Sequence, residues 1–162
     1  MTIKVGETLP RMKLMVVDGE GSHEALTEDL FQGKTVVLFA VPGAFTPTCS
    51  AKHLPGYVQN VEAFAEKGVD LVCCLSVNDA FVMGAWAADQ HVGGKILLLA
   101  DGSAQFTRAM GLELDLTARG MGVRSQRYAL IARDGKVAYL AVEPPGGFDV
   151  SRAESILAKL GK

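Results

Sequence analysis

Residues 35 to 50 read Thr35-Val-Val-Leu-Phe-Ala-Val41, then Pro42-Gly43-Ala44-Phe45-Thr46-Pro47-Thr48-Cys49-Ser50. The first seven carry no charge and are rich in β-branched side chains, the signature of a strand buried on both faces. A loop begins at Pro42, and a cysteine opens the helix that follows. Strand, proline-bounded loop, then helix with a thiol at its start is the feature from which the rest of the chain is read.

Downstream, a helical pattern covers roughly 49–67, with Pro55 predicted to kink or interrupt it. Gly68 ends it before a second buried strand, Val69–Val77. Asn78-Asp79 is a cap for a helix running through Trp86 and Ala87, and Ile96–Ala100 is a third strand. The tail changes style. Tyr128–Arg133 and Lys136–Val142 flank Asp134-Gly135, the dipeptide preferred in two-residue hairpin turns. Ser151-Arg152-Ala153-Glu154 reads as a capping box, with Ile156, Leu157 and Leu160 following at helical spacing. Upstream, Met12–Val17 is an early strand, and 111–123 is an irregular stretch that decorates the core. A β-α-β unit followed by a hairpin and a last helix fits an α/β thioredoxin fold, a central mixed sheet flanked by helices.

The bulk numbers agree with one compact unit. At 162 residues the chain suits a single domain spanning 1–162, without repeats, linkers or low-complexity tracts. Apolar residues make up 49% and charged residues 21%, which excludes disorder. A net charge of −2 argues against nucleic acid or an anionic membrane surface as partner. No stretch approaches the roughly 18 apolar residues of a membrane helix, and no secretory signal is visible at the start. Three cysteines do not make a disulfide framework; they point to a reducing compartment, the cytoplasm.

Cys49 is the residue that could do chemistry. The first turn of a helix offers unpaired N–H groups and partial positive charge, and both favour the reactive thiolate. The Thr46 hydroxyl, three residues earlier, is placed to reach the sulfur or a ligand atom beside it. Pro42 and Pro47 stiffen the loop and withhold backbone donors. A lone cysteine near a helix start is more often a small buried hydrophobe, but a packing cysteine needs neither prolines nor threonine around it.

At these residues the chain resembles the peroxiredoxins. Pro42-x-x-x-Thr46-x-x-Cys49 matches their active-site signature, and the extension through His53-Leu54-Pro55-Gly56-Tyr57 is similar to the peroxiredoxin-5 (type II) subfamily. Leu75-Ser76-Val77-Asn78-Asp79, Arg124-Ser125-Gln126-Arg127-Tyr128 and Val142-Glu143-Pro144 extend the likeness over nearly the whole chain. The resemblance implies a thioredoxin fold with N-terminal additions, a homodimer, and reduction of hydroperoxides by a thiol that becomes a sulfenic acid. It implies Cys49 as nucleophile and Thr46 with Arg127 as its catalytic partners. Arg127 is selected by standing directly before an aromatic at a strand start; Arg124 is a second candidate that orients its neighbours. Pro42, Gly43, Phe45 and His53 are expected around the substrate pocket, with His53 at its rim. Phe45, Phe81, Trp86 and Phe106 are expected to pack, some of them at a dimer contact, and Glu143 to end a strand at the surface.

Cys73 and Cys74 are neighbours in a strand, so their side chains should point to opposite faces. Cys74 matches a second cysteine of plant-like type II members and is the candidate secondary thiol. From a core strand it reaches Cys49 only by local unfolding. Where the subfamily has a resolving cysteine, it lies in the loop before the last helix, and Gly146-Gly147-Phe148-Asp149-Val150-Ser151 contains none. One-cysteine chemistry follows, with an external reductant: glutathione and glutaredoxin, or else thioredoxin acting in a two-cysteine scheme.

Two other classes compete. A disulfide oxidoreductase on the same fold needs Cys-x-x-Cys, and Cys49 is followed by Ser50, Ala51 and Lys52. A non-catalytic chaperone or binding module would leave the Pro/Thr/Cys/Arg set without a purpose. His23, His53 and His91 are scattered, so no metal site is expected. Gly93-Gly94-Lys95 lacks the rest of a phosphate loop, so no nucleotide or other cofactor is expected either.

Overall fold

The computed structural model describes residues 1–160. Its elements in chain order are β1 (Lys13–Asp18), β2 (Gly21–Leu26), α1 (Thr27–Phe31), β3 (Thr35–Val41), a π-helical turn (Cys49–His53), α2 (Leu54–Gln59) and α3 (Val61–Glu66). There follow β4 (Leu71–Ser76), α4 (Ala80–Asp89), β5 (Leu97–Ala100), α5 (Gln105–Met110), β6 (Glu113–Leu116), a 3₁₀ turn (Thr117–Arg119), β7 (Gly122–Ser125), β8 (Tyr128–Arg133), β9 (Lys136–Val142) and α6 (Ala153–Leu160). One seven-stranded sheet runs β2-β1-β5-β4-β3-β8-β9, and β6 pairs with β7 in a small second sheet. β3, β4 and β5 are parallel neighbours, while β8 lies antiparallel to both β3 and β9. This is the mixed α/β sheet of a thioredoxin-like fold.

The alternation of β3 divides the core. Val37, Phe39 and Val41 face the layer that holds Cys49, Cys74, Trp86 and α6, whereas Val36, Leu38 and Ala40 face Cys73, Phe106 and Tyr128. Both faces are covered, which is why an uncharged run is needed here. The hairpin forms at the expected residues: Asp134 (φ 52) and Gly135 (φ 76) both take the left-handed backbone that a type I′ turn requires. The Asp79 carboxylate caps α4, accepting from the Val82 N–H at 2.8 Å.

Several expectations need correction. The helix over 49–67 is three pieces: the π turn, α2 and α3, broken at Asn60 (φ −108, ψ 11). Pro55 sits in the first turn of α2, where its missing N–H costs least, and the wide turn before it relieves the ring's clash with the preceding carbonyls. The stretch 111–123 is ordered by the β6–β7 ladder. An edge strand, β2, and the short helices α1 and α5 carried no strong periodic signal. Ser151 does not close a capping box, because its hydroxyl donates to Glu143 instead, at 2.7 Å. No helix among the described residues is long and apolar enough to cross a membrane.

Candidate active site

β3 ends at Val41 in the middle of the sheet, and the loop it feeds crosses the carboxyl edge of the parallel strands. Three contacts hold that loop. The Ala44 N–H donates to Asn78 Oδ1 at 3.0 Å, tying it to the start of α4. The Thr46 hydroxyl donates to the Gly43 carbonyl at 2.7 Å. Arg124 braces it from outside, donating from Nη1 to the Pro42 carbonyl at 3.3 Å and from Nε to the Met121 carbonyl at 2.9 Å. A Cβ on Gly43 would lie 2.6 Å from that Arg124 Nη1, so a larger residue would make the guanidinium shift from this position. Phe45, at φ 65, is held in a conformation that non-glycine residues rarely adopt, and its ring is 51% exposed.

The helix begins immediately after this loop. Its first backbone bond runs from the Ser50 N–H to the Thr46 carbonyl at 2.9 Å, so the N–H groups of Thr48 and Cys49 belong to the donors that precede any intrahelical acceptor. Ser50 anchors the turn to α4 by accepting from Trp86 Nε1 at 2.9 Å. Cys49 itself is fully buried.

Arg127, one residue before β8, turns its guanidinium toward the thiol. Nη2 donates to Cys49 Sγ at 3.1 Å, while Nη1 lies 2.8 Å from His53 Nδ1. His53 is not at a rim. It is completely buried one turn beyond Cys49, packed against Phe39 and Tyr57, and its Nε2 meets the Ser151 carbonyl at 3.0 Å. A carbonyl only accepts, so Nε2 carries the proton and Nδ1 offers its lone pair to Arg127. Burial first, and then the charge of Arg127, lower His53 to about 3, against an opposing pull from the Ser151 carbonyl. The ring is therefore neutral.

Glu143 also departs from expectation. It is 6% exposed, not a surface strand end, and its Oε2 accepts from the Asp149 N–H (2.6 Å), the Ser151 N–H (2.8 Å) and the Ser151 hydroxyl (2.7 Å). Burial alone would raise this carboxyl, but those donors and the nearby Arg127 hold it below its usual value. Glu143 and Ser151 were missed because they lie in a non-periodic loop where no spacing signals a pair. Phe148, in the same loop, stands over Arg127, whose Cζ lies 5.9 Å from the ring centroid, and meets the His53 ring edge-on.

Pro42, Thr48, Leu114, Gln126, Arg127, Glu143 and residues 144–147 line a cleft of about 140 Å³ on the Arg127 side of the site; of the residues expected around the pocket only Pro42 is in this wall, and Gly43, Phe45 and His53 are not. A larger hollow of about 340 Å³, around Leu9, Phe31 and Asp134, lies at the opposite end of β3 and has no cysteine in its wall. Cys73 and Cys74 are fully buried on opposite faces of the sheet; burial pushes both thiols up, and the neighbouring Cys49 adds to the rise at Cys74. Trp86 and Phe106 are buried as expected, whereas Phe81 is 88% exposed and does not pack within the chain. Among the described residues no group of three or more His, Cys, Asp or Glu could hold a metal ion.

Residues 4–157 match the family model described as Redoxin. The chain is 49% identical over 164 residues to "Peroxiredoxin-2E-2, chloroplastic" from Oryza sativa subsp. japonica, covering 98% of this chain and 73% of that protein. Among solved structures it is similar to reduced Prx3 in complex with hydrogen peroxide from Vibrio vulnificus, at 52% identity and a TM-score of 0.93 over 99% of this chain and 97% of the other. It also resembles peroxiredoxin 5 from Alvinella pompejana, at 34% identity and a TM-score of 0.86 over 98% of each chain. With a buried thiol under an arginine at the carboxyl edge of a thioredoxin-like sheet, the chain belongs to the redoxin family and is a peroxiredoxin, a thiol-dependent peroxidase.

Proposed function

We propose that Cys49 is the attacking thiolate for hydrogen peroxide and alkyl hydroperoxides, with Thr46 and Arg127 as its catalytic partners. The observation that carries this reading is the 3.1 Å bond from Arg127 Nη2 to Cys49 Sγ. A charge-assisted donor at that distance favours the ionised sulfur and remains beside it as charge moves. The thiolate attacks one peroxide oxygen, the S–O bond forms and the O–O bond breaks. Sulfur loses two electrons to the peroxide, and the departing alkoxide or hydroxide leaves as alcohol or water after taking a proton. Cys49 is left as a sulfenic acid. Arg127, the Cys49 N–H and Thr46 stabilise the charge as it passes from sulfur to the departing oxygen. Thr46 already donates to Gly43, so its hydroxyl is oriented with lone pairs free to accept the peroxide proton. Pro42 walls the approach, with Gly43 and Phe45 in the loop next to it, and His53 works from behind Arg127.

Regeneration falls to an external thiol, because Cys74 lies on buried β4 and the loop before α6 has no cysteine. Glutathione attacks the sulfenic acid, water leaves, and a mixed disulfide forms on Cys49. Glutaredoxin removes it by thiol–disulfide exchange. The setting is a reducing compartment, the cytoplasm, and the working unit is one thioredoxin-like domain in a homodimer. Phe45 and Phe81, exposed on the loop and on α4 that Asn78 ties together, support that dimer face. Turnover measured with glutathione plus glutaredoxin against thioredoxin tests the reductant. Mass spectrometry after one equivalent of peroxide and excess glutathione should show one glutathione adduct on Cys49. A Cys49–Cys74 disulfide in its place would assign the chain to the two-cysteine, thioredoxin-dependent scheme.

A further inference from the structure

Behind Arg127 a line of hydrogen bonds leads away from the thiol to the turn before α6. Arg127 Nη1 meets His53 Nδ1 at 2.8 Å, His53 Nε2 donates to the Ser151 carbonyl at 3.0 Å, and Ser151 gives both its N–H and its hydroxyl to Glu143 Oε2. We propose that Glu143 is a positioning residue for peroxide reduction. Its carboxylate shapes the 149–151 turn so that the Ser151 carbonyl holds His53 in the tautomer that accepts from Arg127, which aims the guanidinium at Cys49.

Each link is directional. A neutral imidazole has one donor and one acceptor, so the carbonyl on Nε2 decides that Nδ1 is bare. The opposite tautomer would set an N–H against the guanidinium N–H and turn Arg127 away from the sulfur. The deciding carbonyl comes from a loop 98 residues along the chain from His53, and it is shared with the Tyr57 hydroxyl at 2.7 Å. A loop with two glycines does not hold such a carbonyl in place by itself. Three donors converging on one buried carboxylate oxygen do, because a buried charge left short of partners is costly. The second oxygen, Oε1, lies against Gly147, where a Cβ would crowd it at 3.1 Å and the Pro144 carbonyl at 3.0 Å. Glu143 lines the cleft near Arg127, but its hydrogen bonds go only to the 149–151 turn, so its route to the guanidinium's aim runs through Ser151 and His53.

This inference rests on the reading of Cys49 and Arg127 given above, and the test separates the two. Oxidation of the reduced, full-length enzyme by hydrogen peroxide is followed in single-turnover stopped flow. Glu143→Ala should slow it roughly tenfold, whereas Glu143→Gln, which keeps an acceptor at Oε2, should stay within about threefold of wild type. In nitrogen-15 spectra the protonated Nε2 of His53 should persist in Glu143→Gln and give way to mixed tautomers in Glu143→Ala, which a loss of stability alone would not cause. Combined with His53→Leu, Glu143→Ala should slow the reaction no further than His53→Leu does alone. Multiplying fold-changes in that cycle, or a wild-type rate with the tautomer intact in Glu143→Ala, would overturn the proposal. If Glu143→Ala does not fold, Ser151→Ala removes one of the three bonds and carries the same cycle, with the same non-additive result expected. Arg127→Ala is the control. A wild-type rate there removes the underlying reading, while a slow Arg127→Ala beside a fast Glu143→Ala removes only this inference.

Discussion

Three thiols in one chain differ by their neighbours. Cys49 has a guanidinium at 3.1 Å and the start of a helix beneath it, while Cys73 and Cys74 lie inside a core strand, where burial pushes both thiols up. Protonated thiols are poor nucleophiles, so Cys49→Ser should abolish peroxide turnover, whereas Cys73→Ser and Cys74→Ser should each change it less than about twofold. A coupled peroxidase assay on the three purified variants checks this, and loss of turnover in a folded Cys74→Ser would sink the one-cysteine scheme. Arg127→Ala removes a charge-assisted donor of the kind worth about 1.5–3 kcal/mol, so peroxide reduction should slow by roughly ten- to a hundredfold. Lysine should rescue little, because a point charge cannot serve His53 and Cys49 from two nitrogens of one plane.

At the scale of elements, the site is built where short segments stop. β3 ends at Pro42, β4 ends before the Asp79 cap, and β8 begins one residue after Arg127. The π turn at Cys49–His53 widens the helix where the thiol and the buried imidazole must both face Arg127. The β8–β9 turn lies at the other end of the sheet from this cluster. Gly135→Ala forces a side chain into φ 76 and should cost about 1 kcal/mol, read as a lower urea midpoint with an unchanged slope. Peroxide reduction should stay within about twofold, because nothing in the turn touches the β8 start. A large loss of activity would mean that strain travels along β8 to Arg127.

For the whole molecule, acid is the weak side. His53 is lowered to about 3 from 6.5, so between those values the unfolded chain binds a proton that the folded chain refuses, and stability falls as pH drops from 6.5 toward 3. Glu143, held below its usual carboxylate range, adds in the same direction, its contribution being lost as pH falls through its folded value. His53→Gln should flatten the loss by up to about 1.4 kcal/mol per pH unit between pH 6 and 4, measured by urea unfolding across that range. An unchanged slope would mean that His53 titrates in the fold. Association belongs to this scale as well. Phe81→Glu places a charge at a residue that is 88% exposed, and if the proposed homodimer uses this face it should shift sedimentation equilibrium toward monomer without altering the fold.

The parallel strands, the hairpin and its turn, the α4 cap and the Pro42–Thr46–Cys49 motif were all legible in the sequence, because each depends on neighbours a few residues away. Uncharged β-branched runs, an Asp-Gly pair and a proline-bounded loop carry their meaning locally. The subdivision of the 49–67 helix was not legible, since a proline indicates a disturbance but not whether a π turn or a kink absorbs it. Nor were the depth of His53 and the role of Glu143. Their partners lie 74, 98 and eight residues away along the chain, and a polar side chain's place depends on what faces it once the sheet has formed. Chain-local physics set the strands and put Cys49, the proposed nucleophile, at the start of the helix that follows them. The arginine's orientation, the imidazole's tautomer and the buried carboxylate were decided only by tertiary structure, because burial makes unpaired polar groups costly and distant residues must then supply the missing partners.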